Sequence, residues 1–419
     1  MTPFIFAIKL LLAVPVALVL SLTAAWYIWE SGNTILYDSF AQKMFAGIEN
    51  YGILAIPLFM LTGELMNEGG MTTRLIKAAR VFVGGFRGGL VYINLLTNMF
   101  MAAIIGSAAA QISIMSRTMV PEMEKEGYDR GFAAATTAAG GLLAPMIPPS
   151  MMFVIYGVLA QISIGDMFIA GILPGLLLTI IFAIVIAVIG LIQPFPKSNW
   201  LSLRLAGSAL LSCVPAVLIP TAIIGGILFG FMTPTESAAI ASLIAFFVGW
   251  LVYKELRLKN LAALFRRTAI NASMIIFMIA AANVFGWVII YEALPQKLAS
   301  LITALTDDAF VFLLIVTLIL LVVGMLIDGI AAVILITPIL LPIALDVYGI
   351  SPFQFGVVVC LNLVLGLLTP PIGVGLYISS AISETPMDRI LKSLWPFLLA
   401  VVLTLILLCY FPFLSIGLL

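Results

Sequence analysis

The chain has 419 residues, of which 63% are hydrophobic and 9% charged, and its mean hydropathy is +1.25; no water-soluble core of this size needs such values, so it reads as a membrane protein. Lysine plus arginine equals aspartate plus glutamate at 19 each, with no basic arm and no aromatic–basic stripe, which argues against a nucleic-acid partner. Histidine is absent, which removes HExxH metalloproteases, histidine-ligated haem and serine–histidine–acid catalysis, and Cys213, Cys360 and Cys409 stand singly without metal or redox spacing. The chain is therefore not expected to be an enzyme.

Apolar runs of the ~20 residues needed to cross a ~30 Å hydrocarbon layer follow one another from Phe4 to Leu418, with short polar gaps and no soluble domain. The first, with one lysine (Lys9) ahead of it, is read as a retained helix and not as a cleaved signal peptide. A second span includes residues 48–60, and the segment after it carries Arg74, Lys77, Arg80 and Arg87. Gly84-Gly85 and Gly88-Gly89 read as flexible or close-packed connections, because the lysine and strand of a nucleotide loop are missing.

Residues 88–121 then read as a helical hairpin with Gly106-Ser107 near its middle, either two full spans or a re-entrant pair. From about 131 to 160 comes a broken helix: "APMIPPSMMFVIYG" (144–157) places Pro145, Pro148 and Pro149 inside a stretch without charge. Proline donates no backbone hydrogen bond and clashes with the preceding turn, so the segment must unwind, and bare backbone inside a bilayer is tolerated only against protein or a water-filled cavity. A simple proline kink is the plain alternative.

The second half repeats this. Pro370-Pro371 lies 222 residues after Pro148-Pro149, and the same shift takes Asp166 to Asp388, Pro174 to Pro396 and Gly127 to Gly349. Residues 48–60 align with 269–281 as apolar spans, a hairpin is expected over about 309–343 and a broken helix over about 353–382. The division is 1–205 for the first repeat, 206–232 for a connecting transmembrane helix and 233–419 for the second repeat. Charge sets the orientation. The basic segment 74–87 has a mate, 296–309, with Lys297, Asp307 and Asp308, whereas the acidic segment 30–49 has a mate carrying Lys254, Arg257, Lys259, Arg266 and Arg267. The halves are therefore read as inverted, with the N-terminus inside.

A double proline in both inverted halves favours an ion or substrate site over a kink. Asp328, between uncharged arms 309–327 and 329–345, is either an exposed turn residue or an intramembrane ligand; its place opposite a broken helix favours the ligand. Together with the Ser107 and Thr369 hydroxyls and loop carbonyls it supplies hard oxygen donors suited to sodium, a proton being the competing ion. Glu64 reads as a span-end residue and Glu236 in "TPTES" as a first-turn helix acid. Gln111, Ser150 and Gly373 are candidates to face a substrate, and Arg117 is read as snorkelling to the interface.

The segments "AIPLFMLTGELMNEGG" (55–70), "IIGSAAAQ" (104–111), "EGYDRGFAAA" (126–135), "LLAPMIPPSMMFVIYG" (142–157), "GGILFGFMTPTESAAI" (225–240), "GMLIDGIAAVILITPILLPI" (324–343) and "NLVLGLLTPPIGVGLYI" (362–378) resemble the large membrane subunit of tripartite ATP-independent periplasmic (TRAP) transporters. The resemblance covers nearly the whole chain. It implies an all-α polytopic fold, an inverted repeat with two re-entrant hairpins and two proline-broken helices, working as an elevator-type secondary transporter. It further implies sodium-coupled uptake of an organic anion, such as a C4-dicarboxylate or sialic acid, across a bacterial or archaeal inner membrane. The implied partners are a small four-helix membrane subunit and a periplasmic substrate-binding protein, and no cofactor is implied. Carried over by residue, the first sodium site would comprise Ile105, Ser107, Ala144, Ile147 and Pro149, and the second Asp328, Gly329, Gly366, Thr369 and Pro371. The family commonly has serine at Ile105 and glycine at Ala144, so the first site offers only backbone at Ile105. A stand-alone sodium/dicarboxylate symporter is the runner-up, and an ion channel, which needs a ringed pore, fits less well.

Overall fold

The structure, a computed structural model, describes residues 5–6, 8–9, 12, 14–33, 36–83, 88–193, 195–196 and 203–419. Gly84, Gly85, Arg87 and Lys197 lie outside the described residues, as do Phe4, Ala7, Leu10, Leu11 and Ala13 in the first apolar run. All regular structure among the described residues is helical. Among the described residues, seven helices are long and apolar enough to cross a membrane, or eight if one bent pair counts as a single span.

The first half runs α1 (Val16–Ser31), α2 (Leu36–Ala46), α3 (Ala55–Glu68), α4 (Met71–Val83), α5 (Gly89–Ile105), α6 (Ala108–Lys125), α7 (Arg130–Gly141), α8 (Met151–Ala160) and α9 (Ile164–Ile192). A connecting helix α10 (Leu203–Leu228) follows. The second half has α11 (Pro234–Phe247), α12 (Leu261–Tyr291), α13 (Leu294–Thr303), α14 (Ala309–Leu326), α15 (Gly329–Asp346), α16 (Pro352–Gly366), α17 (Val374–Ser383) and α18 (Met387–Tyr410), with a short terminal α19 (Phe413–Ile416). The 222-residue shift takes the starts of α5 to α9 to positions 311, 330, 352, 373 and 386, and helices begin at 309, 329, 352, 374 and 387.

One pair departs from this match. α2 and α3 are bent by 51° at a break, whereas their counterpart α12 is a single helix of 31 residues. The break has a local cause: Gly47 weakens the helix, the Asn50 side chain accepts from Gly52 N at 2.8 Å to start a new turn, and Pro57 sits in the first turn of α3. The aligned stretch 269–281 holds neither glycine nor proline.

Two groups of helices follow from the packing. α3 lies on α11, α10 on α4 and α11, and α12 on α1, α2 and α3. Small hydroxyls join α3 to α11: Thr62 Oγ1 lies 2.8 Å from Ser242 Oγ, and Ser242 Oγ donates to Leu58 O at 3.1 Å. In a lipid-embedded bundle such small polar contacts do the joining that hydrophobic burial does in water. Outer faces stay apolar and exposed, as in the α9 stripe Leu176, Ile180, Ile184, Val188 and Leu191.

The second group is the two hairpins and two broken helices, and its contacts between halves come in matched pairs. α8 packs on α15 and α17 on α6; α7 packs on α18 and α16 on α9. Each broken helix thus rests on the inner arm of the other half's hairpin. Polar ties fix both ends. Arg130 Nε donates to Ser383 O at 2.7 Å and its guanidinium meets Glu124 at 2.9 Å, while Asp129 pairs with Arg389. Elsewhere Tyr156 Oη donates to Pro352 O at 2.7 Å. Partial burial opposes ionisation of Asp129, but the Phe132 N–H and the Arg389 guanidinium outweigh it and hold its carboxyl below the ordinary range.

Other ties join segments that the lysine and arginine distribution assigns to one side. Arg74 meets Glu255 at 2.7 Å and stacks 3.8 Å over the Tyr253 ring, and Arg267 pairs with Glu64 and Glu68. On the side assigned as external, Tyr27 Oη donates to Glu292 at 2.5 Å.

Candidate transport site

The first hairpin turns at Gly106, which caps α5 in the left-handed region at φ +61°, and at Ser107, the extended residue before α6. This tip touches the double-proline loop. A Cβ on Gly106 would stand 3.2 Å from Met151 N and 3.3 Å from Pro149 O, so only glycine brings the backbones this close. The Pro148-Pro149 bond is cis, as is Pro370-Pro371 at the shifted position.

Residues 142–150 form the break. Ser150 caps α8, its hydroxyl donating to Pro145 O at 2.6 Å, and it is buried. Leu143 O accepts from Met146 and Ile147 N–H groups, but the carbonyls of Ala144, Ile147 and Pro149, like that of Ile105 at the tip, accept no hydrogen bond among the described residues. Ala144 and Pro149 are buried, Ile105 and Ile147 half-buried. Buried carbonyls without donors cost free energy unless a cation or water meets them. Beside them the half-buried Ser107 hydroxyl makes no cap bond to α6. Hence the five residues implied for the first sodium site contribute four unpartnered carbonyls and one uncommitted hydroxyl, a hard-donor set suited to a small cation.

The second tip is more open. Asp328 is exposed and caps α15, its carboxylate accepting from Ile330 N at 3.1 Å, while Gly329 is buried against Met152 of α8. Thr369 Oγ1 donates to Leu365 O at 2.7 Å, which leaves the oxygen's lone pairs free. The carbonyls of Thr369 and Pro371 accept nothing among the described residues, whereas Gly366 O accepts from Thr369 N at 3.0 Å. Gly366 is where α16 crosses α14: a Cβ on it would lie 2.6 Å from Gly324 Cα. Gly373, at φ +51°, starts α17.

Gln111 is fully buried among α5, α6 and α7. Its Nε2 donates to Asn98 O at 2.8 Å and Asn98 Oδ1 at 2.9 Å, while Oε1 has no partner among the described residues. It belongs to a chain of buried amides and hydroxyls through Asn94 and Thr137. In the other half, Asn362 occupies the position matching Gly140, fully buried with both amide atoms unpartnered among the described residues.

A cavity of ≈ 190 Å³ lies between the hairpin tips and the α3–α12 wall; Ser107, Ile105 and Ile330 line one side, and Glu64, Asn67, Thr268 and Asn271 the other. The last four gave no strong signal in the sequence. Glu64 is indeed near a helix end, but it also lines this cavity, and Thr268 and Asn271 sit in an ordinary apolar span. Glu236 closes a capping box with Thr233, as a first-turn acid should.

Helices that exceed bilayer length, broken apolar helices and a cavity beside the hairpin tips define a multi-pass membrane transporter. Its fold is that of the Alcanivorax borkumensis YdaH transporter, whose crystal structure has an unusual topology; the TM-score is 0.69 over 98% of both chains at 13% identity. Residues 4–414 match the DctM component of tripartite ATP-independent periplasmic transporters, and the chain belongs to that family. It is 37% identical to the sialic acid TRAP transporter large permease SiaM of Vibrio cholerae, over 89% of this chain and 87% of that one. It is 35% identical to the C4-dicarboxylate large permease DctM of Pseudomonas aeruginosa, covering 91% and 89% respectively. Against the isethionate permease DctMQ of Oleidesulfovibrio alaskensis it is 34% identical over 97% of this chain and 64% of that longer one. A transporter subunit of this family is not an enzyme.

Proposed function

We propose that the chain is the large permease of a sodium-coupled carrier that takes up an organic anion across the inner membrane. Sodium ions occupy both hairpin tips, the anion lies between them, and the hairpins and broken helices move as one body against the α1–α4 and α10–α13 frame. The halves are inverted and the hairpins re-entrant on this reading. The observation that carries it is the set of unpartnered carbonyls beside Ser107 at the first break, with a carboxylate, Asp328, at the matching place in the second half. Oxygens from unwound backbone at a repeat interface are the membrane-protein way of holding a coupling ion. A guest cation at each tip also lowers the cost of carrying an anion through the bilayer.

Family membership supports the assignment of a small membrane subunit and a periplasmic binding protein as partners. Relatives named for sialic acid, C4-dicarboxylates and isethionate support an organic acid as cargo. Asp328→Asn should raise the sodium concentration for half-maximal uptake by about tenfold, since a hydrogen bond or contact to a charged group is worth roughly 1.5–3 kcal/mol. Sodium-titrated uptake of radiolabelled organic acids decides it: an unchanged sodium dependence removes Asp328 from the site. Capture of the chain from its native membrane in mild detergent should bring down a small multi-span subunit in stoichiometric amount. A chain that emerges alone from several detergents points to a stand-alone symporter.

A further inference from the structure

On the carrier reading above, the ≈ 190 Å³ cavity discriminates among anions. Its hairpin side presents the N-terminus of α6, an 18-residue helix whose first turn receives no cap from Ser107. Helix N-termini favour an acid group, and the Ser107 hydroxyl can donate its proton to that group while its oxygen faces a cation. Among the described residues, the opposite wall is neutral except for one carboxylate. Thr268 is 5% exposed, and its hydroxyl oxygen is buried away from the cavity with no partner among the described residues. Asn271 lies three residues on, exposed to the cavity, and Asn67 accepts from Thr72 at 3.3 Å through Oδ1, leaving its amide protons. Glu64 shares Arg267 with Glu68, so that guanidinium is already met by two carboxylates.

We propose that the cargo is a small hydroxylated monoanion, a carboxylate or sulfonate. Its acid group lies at Ser107 and the first turn of α6, its hydroxyls are read by Asn271 and Asn67, and Glu64 rejects a second acid group. A C4-dicarboxylate spanning the cavity would bring its far carboxylate against Glu64, and like charges in a low-dielectric space repel strongly. A site built to hydrogen-bond hydroxyls also rejects analogues that lack them, because its polar groups are left unpaired. The volume lies below the ~300–1,000 Å³ of drug-sized sites, which favours a compact cargo.

The test is thermal unfolding of the full chain, purified together with whatever small subunit comes with it in mild detergent and sodium, with isethionate, glycerate and gluconate against succinate and fumarate. Ligands that bind the folded state raise the unfolding temperature in proportion to their affinity. The hydroxylated monoanions should stabilise at concentrations about tenfold lower than the dicarboxylates do. Glu64→Gln should erase at least that tenfold preference, and Asn67→Leu with Asn271→Leu should weaken the hydroxylated anions about tenfold while leaving stabilisation by sodium alone intact. Dicarboxylates stabilising the unaltered chain as well as the monoanions would overturn the proposal, and that comparison needs no variant to fold. A preference that survives Glu64→Gln overturns it too. If no organic anion of either kind shifts the transition, the carrier reading itself fails.

Discussion

At the scale of single residues, Gly106 governs the first tip. Its left-handed backbone costs an L-residue about 1–2 kcal/mol, and a Cβ would press on Pro149 O and Met151 N, so that tip and loop backbone would have to part by a few tenths of an ångström. Gly106→Ala should therefore leave the amount of folded protein near normal but displace the tip from the carbonyls around Pro149. Uptake assayed across sodium concentrations should show apparent sodium affinity weakened at least tenfold, about 1.4 kcal/mol; a variant with the parental sodium curve would mean that the tip carries no ion.

At the scale of elements, contacts between the halves tie the broken helices together. Asp129 caps α7 through Phe132 N and pairs with Arg389 at the start of α18, so one carboxylate pins elements from both halves. Its carboxyl titrates below the ordinary 3.8 in the folded chain. A lowered folded value means that the ionised form stabilises the fold at pH above 3.8, and that this contribution drains away as pH falls through the folded value. Unfolding followed against pH in detergent should accordingly show a loss of stability below about pH 4 in the parent. Asp129→Asn should be less stable at neutral pH and lose less on acidification. Parallel pH profiles would assign the acid sensitivity to other carboxylates.

At the scale of the whole molecule, the cavity separates a frame from a group of hairpins and broken helices, and a sliding motion must change distances across it. Ala110 of α6 and Asn271 of α12 line opposite sides. Cysteines at these two positions, joined by a short bis-thiol reagent, should abolish uptake, with recovery on cleavage of a reducible linker. The native Cys213, Cys360 and Cys409 are buried and free, so they offer little background. Linked protein that transports at the rate of unlinked protein would exclude relative movement of α6 and α12.

The sequence by itself determined the membrane class, the tandem repeat and the places where the two double-proline helices break, but not the bend between α2 and α3. Hydropathy, the 222-residue register and proline chemistry are local quantities that need no partner to be read, and the helices begin within two residues of the shifted positions. Helix ends such as Lys125, which carries α6 past the expected 121, were less legible, because an interior proline at 121 was tolerated within the helix. Only the tertiary structure decided which carbonyls around Pro149 lack donors, that Gln111 spends its amide on Asn98, and that Asn67 and Asn271 face a cavity. The physical reason is that hydrogen-bond satisfaction and cavity lining depend on residues brought together from distant parts of the chain. An apolar helix such as α12 does not record which of its faces meets a hairpin tip.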